Sequence, residues 1–381
     1  MTIINDVMRL MRVVLFNLGL VVAILILFYA FYLKDYMNDG NRNDKSASSD
    51  STTTLASELE SITTERNEEF KTENINLWCI FTKVDVNSIL RDKFALFAKS
   101  LLNKASEPIS LSVITDEVSK PVAEEILNNV QGDKKFLNIT FMDVSILAGN
   151  LKRLVSIMSP HFSSRPGTYY SDALFFLSLG LHHIVGVNDQ QKVIMTDVDI
   201  KFVGDIAELW KEFDKFSSDA IFGLGPELSP VYRHVFHSYR SSHPGTIVGE
   251  PLSENGYPGL NSGVILLNLS RMRKSEIYSK FIGDDNSSDV KEDDAHVTSV
   301  DGLVKKYFFK GHLGDQDFYT LLGAEYPELI HIIPCVWNRQ LCTWWGERGG
   351  YGDVFDKYFK CDGKVKIYHG NCNSPFPENG D

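Results

Sequence analysis

The chain has little positive charge for its length. Its 381 residues include 38 Lys and Arg against 50 Asp and Glu, which gives a formal net charge of −12. A protein that binds nucleic acid needs a basic surface to replace the counterions around the phosphates. The charge balance therefore predicts that nucleic acid is not a partner.

Long hydrophobic runs are also absent, with one exception near the N-terminus. Residues 13–33, VVLFNLGLVVAILILFYAFYL, are long enough to cross the hydrocarbon core of a bilayer as a helix. The alternative is a cleaved signal peptide, which would have a shorter apolar run and a small-residue cleavage site that we do not find. Arg9 and Arg12 precede the run, so the positive-inside rule predicts a cytosolic tail over 1–12 and a signal anchor over 13–33.

Large apolar side chains are few in the segment that follows, residues 34–75. A segment rich in Ser, Thr, Asn, Asp and Glu cannot bury enough surface to order itself, so we expect a flexible lumenal stalk. The remaining residues, 76–381, are predicted to form one catalytic domain in the lumen.

Cysteine is scarce, and no C-x-x-C pair is present to suggest a zinc site. In an oxidising lumen, four cysteines clustered near the C-terminus favour two disulfides. Three pairings are open, of which we favour Cys335–Cys361 with Cys342–Cys372. Cys79 lies in an apolar run and is predicted to be a buried thiol. Three sequons start at Asn138, Asn286 and Asn268; the third adjoins an apolar run, which predicts that it is too buried for glycosylation.

Strand and helix patterns alternate from residue 76 onward. This alternation predicts an α/β domain with a mainly parallel sheet. We predict strands at 76–82, 109–115, 137–144, 192–196, 219–225, 262–269, 329–333 and 364–369. We predict helices at 88–104, 120–130, 170–185, 205–216 and 315–324, and a polar surface loop at 283–302.

Two acids close the predicted strand KVIMT. Asp197 and Asp199 are separated only by Val198, and two carboxylates at one strand end repel each other unless a cation lies between them. Open α/β sheets bind ligands at this edge, and hard oxygen ligands suit Mg²⁺ or Mn²⁺. Asp205, just before IAELW, fits a helix N-cap instead. Phosphatases of the haloacid dehalogenase type also use D-x-D, but in their first strand and with Thr or Val where this chain has Lys201.

Two further motifs follow this D-x-D in the order seen in family-eight glycosyltransferases. They are PGLNSGVILLNLSRMR (258–273) and KIYHGN (366–371), and the chain resembles that family over roughly 76–377. The resemblance implies a retaining enzyme with a GT-A fold: a Rossmann-like, mainly parallel mixed sheet flanked by helices. The domain would be a single one behind the membrane helix and stalk.

Four longer stretches are similar to one branch of that family. They are SPVYRH (229–234), FKGHLGDQDFYT (309–320), WNRQLCTWW (337–345) and VKIYHGNCNSP (365–375). The branch transfers xylose from UDP-xylose, in α1,3 linkage, to the xylose of xylose-glucose O-glycans on EGF-like repeats of Notch-type proteins. The similarity also implies an endoplasmic reticulum membrane location, with the Golgi as the alternative, and it allows a homodimer.

The resemblance assigns roles to individual residues. Asp197, Asp199 and His369 would hold Mn²⁺, with Mg²⁺ as the alternative, and Gln316 and Asn261 would lie at the reacting carbon. Gly263 would leave room for the sugar, and Gly370 would let the backbone approach the diphosphate. The implied donor-binding residues are Thr82, Asp172, Thr196, Val198, Asn261, Ser262, Gly263, Asp315, Gln316, Gly370 and Asn371.

One of these donor positions has an alternative role, and another departs from the family pattern. Asp315 could instead cap the helix that starts there. Many family members have a basic residue near Asp172, where this chain has an acid followed by Phe175 and Phe176.

The acceptor side is indicated by the CTWWGERGGY stretch. Adjacent tryptophans on a strand would face opposite sides, so one of Trp344 and Trp345 is expected to stack on a sugar or on the acceptor domain. The implied acceptor-binding residues are Trp344, Trp345, His312, Leu313 and Asn371.

Retention of configuration by double displacement needs a carboxylate nucleophile. The motif offers Gln316 there, which is a poor nucleophile, so a front-side substitution fits better. Two alternatives to a xylosyltransferase remain at this point: a transferase that uses UDP-glucose or UDP-galactose, and an inactive lumenal glycan-binding protein.

Overall fold

The computed structural model describes residues 74–84, 88–131, 136–163, 174–184, 190–283 and 297–378. These residues belong to one compact unit, Glu73–Asp381. The predicted membrane helix, Asp172 and the sequon at Asn286 lie outside the described residues. Within the ranges that are described, no helix combines the length and apolar character that crossing a membrane requires.

The predicted alternation of strands and helices is confirmed in the described ranges. The strands are β1 Ile75–Phe81, β2 Ile109–Thr115, β3 Leu137–Asp143, β4 Lys192–Thr196, β5 Ile200–Phe202, β6 Phe222–Pro226, β7 Leu260–Asn268, β8 Ile330–Ile332, β9 Arg339–Gln340 and β10 Ile367–His369. The helices are α1 Ile89–Lys104, α2 Ser119–Gln131, α3 Val144–Asn150, α4 Lys152–Phe162, α5 Leu177–Gly180, α6 Ile206–Trp210, α7 Val231–Val235, α8 His237–Ser242, α9 Leu269–Met272, α10 Glu276–Ile282, α11 Val300–Lys306, α12 Asp315–Glu325, α13 Trp344–Glu347 and α14 Phe355–Phe359. Short 3-10 turns cover Leu181–His183, Lys211–Lys215, Leu252–Glu254, Pro327–Leu329, Cys335–Trp337 and Asn371–Asn373.

Seven strands form the central sheet in the order β3-β2-β1-β4-β7-β6-β8. Neighbours are parallel except at β7, which runs antiparallel to both β4 and β6. The sheet is therefore mixed and mainly parallel, as predicted. Apolar side chains pack on both of its faces, and these two clusters form the core.

A second, three-stranded sheet has the order β5-β10-β9. We expected the strand near 364–369 to extend the main core, but β10 pairs with the short β5 instead. This pairing sets His369 opposite Ile200, the residue that directly follows Asp199. The small sheet thus brings a C-terminal residue to the end of a central strand.

Helix α1 shows how the sequence encodes the packing between the two sheets. Ser88 caps the helix, because its side chain accepts a hydrogen bond from the backbone N–H of Leu90 at 3.2 Å. Phe94 and Phe97 lie on its buried face. Phe97 meets Phe202 of β5 edge to face, with 5.6 Å between ring centroids, so α1 supports the small sheet.

Three predicted elements differ from the structure. The helix expected over 205–216 ends at Trp210, and a 3-10 turn covers Lys211–Lys215. The continuous helix expected over 170–185 is wrong in its described part, because α5 ends at Gly180 and a 3-10 turn follows. The polar loop predicted over 283–302 extends too far. Ser299 caps α11 by accepting from the backbone N–H of Gly302, so its last residues are helical; residues 284–296 lie outside the described ranges.

The cysteines pair as we favoured, Cys335 with Cys361 and Cys342 with Cys372. Cys79 is fully buried as a free thiol, and burial raises its pKa. Asn138 lies exposed on β3, an edge strand of the large sheet. Asn268 is buried and its side chain caps α9, which confirms that this sequon is inaccessible.

Candidate active site

An Asp-Asp-His group lies where β4 ends. Ligand atoms of Asp197, Asp199 and His369 all fall within 4.8 Å of one another. The His369 Nε2 atom is 3.5 Å from Asp197 Oδ2 and 3.5 Å from Asp199 Oδ1. The Asp197 side chain is 60% exposed, that of Asp199 is 21% exposed and that of His369 is 5% exposed, so the group opens to solvent on one side only.

Backbone pairing fixes this group. The N–H of Asp197 donates to the carbonyl of Gly263 on β7 at 3.0 Å, and the N–H of Gly370 donates to the carbonyl of Asp199 at 2.7 Å. Both ends of the D-V-D segment are thereby held by strands that come much later in the chain. The buried Val198 between the two acids anchors the turn in the core.

Gly263 leaves room for the imidazole, because a Cβ atom at this position would lie 2.2 Å from Cε1 of His369. At Gly370 a Cβ would meet Phe376 at 3.0 Å and the carbonyl of Ser374 at 3.1 Å, so the backbone there packs closely against the segment that follows. The roles that we expected for these glycines toward a donor sugar and its diphosphate stay predictions.

The ionisation of the group follows from its geometry. Burial alone would lower the pKa of His369, but hydrogen bonds and the charges of Asp197 and Asp199 raise it to about 9. Burial opposes ionisation of Asp199, yet His369 and Lys93 lower its pKa below the usual value. Lys93 Nζ lies 3.5 Å from Asp199 Oδ2 and donates to Asn373 Oδ1 at 2.9 Å. No pattern or motif in the sequence had indicated Lys93.

Nine of the predicted residues line one cavity of about 510 Å³ beside the Asp-Asp-His group. They are Thr82, Thr196, Asp197, Val198, Asp199, Ser262, Leu313, Asp315 and Gln316. Leu90, Leu174 and Phe175 contribute apolar surface to the same cavity. The hydroxyl of Thr196 is buried without a hydrogen-bond partner among the described residues.

Asn261 and Gln316 meet behind this cavity at a buried glutamate that we did not predict. Glu227 Oε2 accepts from Asn261 Nδ2 at 2.9 Å and from Gln316 Nε2 at 3.4 Å. The Gln316 Oε1 atom in turn accepts from the backbone N–H of Ser262 at 3.2 Å. An acid directly after an apolar strand was the available sequence signal, the same one that marked Asp197.

The two aspartates that flank Gln316 have separate environments. Asp315 is not the cap of α12, since Gly314 occupies the N-cap, and its carboxylate accepts from Ser178 Oγ at 2.5 Å. Burial, together with the nearby charge of Asp197, raises the pKa of Asp315 to about 7. Asp317 is fully buried and holds the preceding loop by accepting from the N–H of Leu313 at 2.7 Å.

The tryptophan pair lies on helix α13, not on a strand. Trp344 is 47% exposed, whereas Trp345 packs against the core beside His234 and Tyr351. One tryptophan is therefore available for contact, although the reason is helical rather than strand geometry. Asn371 supports this loop, because its Oδ1 accepts from the N–H groups of Leu341 and Cys342 at 3.0 Å each.

The Asp-Asp-His group fits a divalent cation. Two carboxylates and one imidazole are a suitable ligand set for Mn²⁺ or Mg²⁺, and all three converge on one point at the cavity. The group is open on its cavity side, which leaves coordination positions for phosphate oxygens of a substrate.

The comparisons with known proteins agree with this geometry. No protein-family model matches the chain. The chain is 45% identical to human xyloside xylosyltransferase 1 over 311 residues, which cover 80% of this chain and 75% of the human protein. The mouse protein of the same name is 44% identical over the same shares. The crystal structure of mouse xyloside xylosyltransferase 1 in its apo form matches with a TM-score of 0.72 and 43% identity, covering 80% of this chain and 100% of that one.

The domain is a GT-A glycosyltransferase. This class is defined by the mixed sheet, by the acids where the central strand β4 ends, and by the structural match. The identity to the human and mouse proteins shows that the chain belongs to the xyloside xylosyltransferase family.

Replacing Gly263 with alanine tests the contact with the imidazole. Because a methyl group would overlap Cε1 of His369, we expect Gly263→Ala to displace the ring and to raise the dissociation constant for Mn²⁺ by at least about tenfold. Mn²⁺ electron paramagnetic resonance measures this constant directly. Gly149→Ala is the matched control, since nothing lies within 4 Å of a Cβ there. Unchanged Mn²⁺ affinity in Gly263→Ala would contradict the assignment.

Proposed function

We propose that the chain transfers xylose from UDP-xylose, with Mn²⁺, to the xylose of xylose-glucose O-glycans on EGF-like repeats such as those of Notch-type proteins, forming an α1,3 linkage. The observation that carries this proposal is the Asp197–Asp199–His369 group at the mouth of the cavity, in a chain 45% identical to a named xyloside xylosyltransferase. The donor would occupy the cavity with its diphosphate toward the acids.

The protein side chains supply position and charge. Asp197, Asp199 and His369 would hold the cation, which supplies a Lewis acid for the charge that develops on the leaving diphosphate. Lys93 adds a fixed positive charge 3.5 Å from Asp199. Thr82 follows β1, lines the cavity and would contact the donor's uridine, and the hydroxyl of Thr196 is buried at the end of β4.

A front-side substitution is the mechanism that the cavity supports best. Gln316 presents a carboxamide there, and both ends of that amide are engaged, by Ser262 and by Glu227. Asp317 points into the core and cannot attack a sugar. Among the described residues, Asp315 is the one carboxylate that lines the cavity besides Asp197 and Asp199, and it accepts a hydrogen bond from Ser178.

This mechanism predicts that no xylosyl-enzyme forms. After incubation with UDP-xylose and rapid acid quenching, we expect intact-mass spectrometry to show no protein with an added pentose. The Gln316→Glu variant, which places a carboxylate at the same position, is the control that can reveal an adduct. A pentose mapped to Asp315 in the unsubstituted protein would contradict front-side substitution.

The acceptor is proposed to bind near Trp344. Its exposed ring offers an apolar face for a sugar or for the acceptor domain, and the Cys342–Cys372 disulfide fixes the adjoining loop. His312 is exposed and Leu313 lines the cavity, so this segment lies between the donor cavity and solvent.

Transfer to a defined acceptor tests the proposed function. With UDP-xylose, Mn²⁺ and an EGF-like repeat that carries xylose-glucose, we expect a mass gain of one pentose. A repeat that carries glucose alone should gain nothing, because the accepting hydroxyl belongs to the xylose. Faster transfer from UDP-glucose or UDP-galactose, or no transfer from any of the three donors, would overturn the proposed donor or the proposed activity.

Two variants sharpen this assay. Asp197→Asn should reduce both transfer and UDP-xylose hydrolysis by at least about 100-fold, because it removes a cation ligand. Trp344→Ala should raise the KM for the glycosylated repeat while UDP-xylose hydrolysis is unchanged. Ile332→Ala, a similarly exposed apolar residue on the edge strand β8, is its control.

We also propose that the domain works in the lumen of the endoplasmic reticulum, anchored through residues 13–33. Two disulfides support an oxidising compartment, and the exposed Asn138 is an accessible sequon. In cells, we expect treatment with a glycosidase specific for N-glycans to reduce the apparent mass, and Asn138→Gln to remove part of that shift. A protein without any such shift would argue against lumenal exposure.

A further inference from the structure

A buried glutamate lies next to the site without touching the cavity. Glu227 follows the apolar part of β6 and is 4% exposed. Its Oε1 atom accepts from the N–H of Ser229 at 3.1 Å and from Ser229 Oγ at 2.6 Å. Its Oε2 atom accepts from the side-chain amides of Asn261 and Gln316. All four partners are donors, so these hydrogen bonds fit a carboxylate that only accepts.

Hydrogen bonds connect this carboxylate to His369. Asn261 donates from Nδ2 to Glu227, and its Oδ1 accepts from Asn338 Nδ2 at 2.8 Å. Asn338 is fully buried, and its Oδ1 lies 3.0 Å from His369 Nδ1. Two amides in series therefore join Glu227 to the imidazole.

The donors and acceptors in this series of hydrogen bonds can be arranged in only one direction. Burial raises the pKa of Glu227, while the hydrogen bonds from Asn261 and Ser229 act to lower it. In its ionised form Glu227 cannot donate, so Asn261 turns its NH₂ group toward Glu227 and its oxygen toward Asn338. Asn338 must then present its NH₂ group to Asn261 and its oxygen to His369, which requires a proton on Nδ1. The backbone N–H of Gly263, a fixed donor, bonds Asn261 Oδ1 at 3.1 Å and demands the same orientation.

The two aspartates favour the opposite tautomer of the imidazole, with its proton on Nε2. Both carboxylates lie 3.5 Å from Nε2, so on electrostatic grounds alone a neutral ring would keep its single proton on that nitrogen. A protonated Nε2 cannot ligate a cation, whereas a ring with its proton on Nδ1 can. The position of one proton thus decides whether His369 is a ligand.

We propose that Glu227, acting through Asn261 and Asn338, holds the proton of neutral His369 on Nδ1 and so keeps the lone pair of Nε2 directed at the cation. Glu227 is a positioning residue, since it is not among the residues that line the donor cavity and it reaches His369 only through Asn261 and Asn338. The inference rests on the proposed cation site. The same carboxylate also orients Gln316, whose NH₂ group points to Glu227 and whose oxygen is left to Ser262.

The test replaces Glu227 with glutamine, which has nearly the same shape but must turn an NH₂ group toward either Ser229 or Asn261. We expect the dissociation constant for Mn²⁺ alone to rise by about 10- to 100-fold in the full-length protein, as measured by electron paramagnetic resonance. Glu227→Asp keeps an acceptor-only group and should recover most of the affinity.

The matched control is Glu212→Gln. Glu212 is another buried glutamate, paired with Lys215 at 2.7 Å and near His331, and it does not line the cavity. Its substitution should alter the thermal midpoint while Mn²⁺ affinity stays within about twofold. If Glu227→Gln likewise changes only the thermal midpoint, Glu227 is merely structural and the inference is wrong.

Two further measurements identify the route and the tautomer. If Glu227 acts through Asn338, Glu227→Gln should add less than about a twofold effect in an Asn338→Leu background, and independent additive effects would overturn the proposed route. Nitrogen-15 NMR of labelled histidine, recorded above pH 9 so that the imidazole is neutral, should show the proton of His369 moving from Nδ1 to Nε2 in Glu227→Gln. If the unsubstituted protein does not bind Mn²⁺, the proposed cation site itself fails; if both proteins bind equally, only this inference does.

Discussion

The packing of the His369 ring against Gly263 is the contact on which the rest of the site depends. It joins β10, the last described strand, to β7, the antiparallel strand that neighbours β4 in the main sheet. With any side chain at 263 the imidazole could not lie beside Asp197 and Asp199, and the three ligand atoms would not converge. A missing side chain, and not an attractive interaction, therefore determines where the cation site can form.

Topology makes this contact available. Pairing of β10 with β5 places His369 opposite the residue after Asp199, and helix α1 stabilises β5 by packing Phe97 on Phe202. Packing in the core thus fixes the position of β5, and β5 in turn fixes the position of His369. The Cys342–Cys372 disulfide ties the segment after β10 to the tryptophan loop, so cation site and acceptor loop share one support.

The sequence predicted the elements and the residues that come together better than it predicted what each residue contacts. The patterns located eight of the ten described strands and α1 within a few residues but not β5 or β9, and the motifs supplied Asp197, Asp199 and His369 as a group. The contact of Gly263 with the imidazole was not predicted, however, and Asp315 was a candidate cap but accepts a hydrogen bond from Ser178. Such contacts depend on the pairing of strands that are far apart in the sequence. A local sequence pattern does not indicate this pairing.

Glu227 and Asn338 escaped prediction for a related reason. Their role depends on the direction of a hydrogen-bond chain that spans residues 227, 261, 338 and 369, and no spacing in the sequence encodes direction. In the structure, the two ring nitrogens of His369 have different contacts. Its Nε2 side lies against two carboxylates that attract a cation and a proton alike, and its Nδ1 side faces an oxygen that accepts only a proton. The negative charge of the two aspartates attracts the cation, but it also favours the tautomer with its proton on Nε2, which cannot bind the cation. The hydrogen bond at Nδ1 is therefore needed to keep the proton away from Nε2.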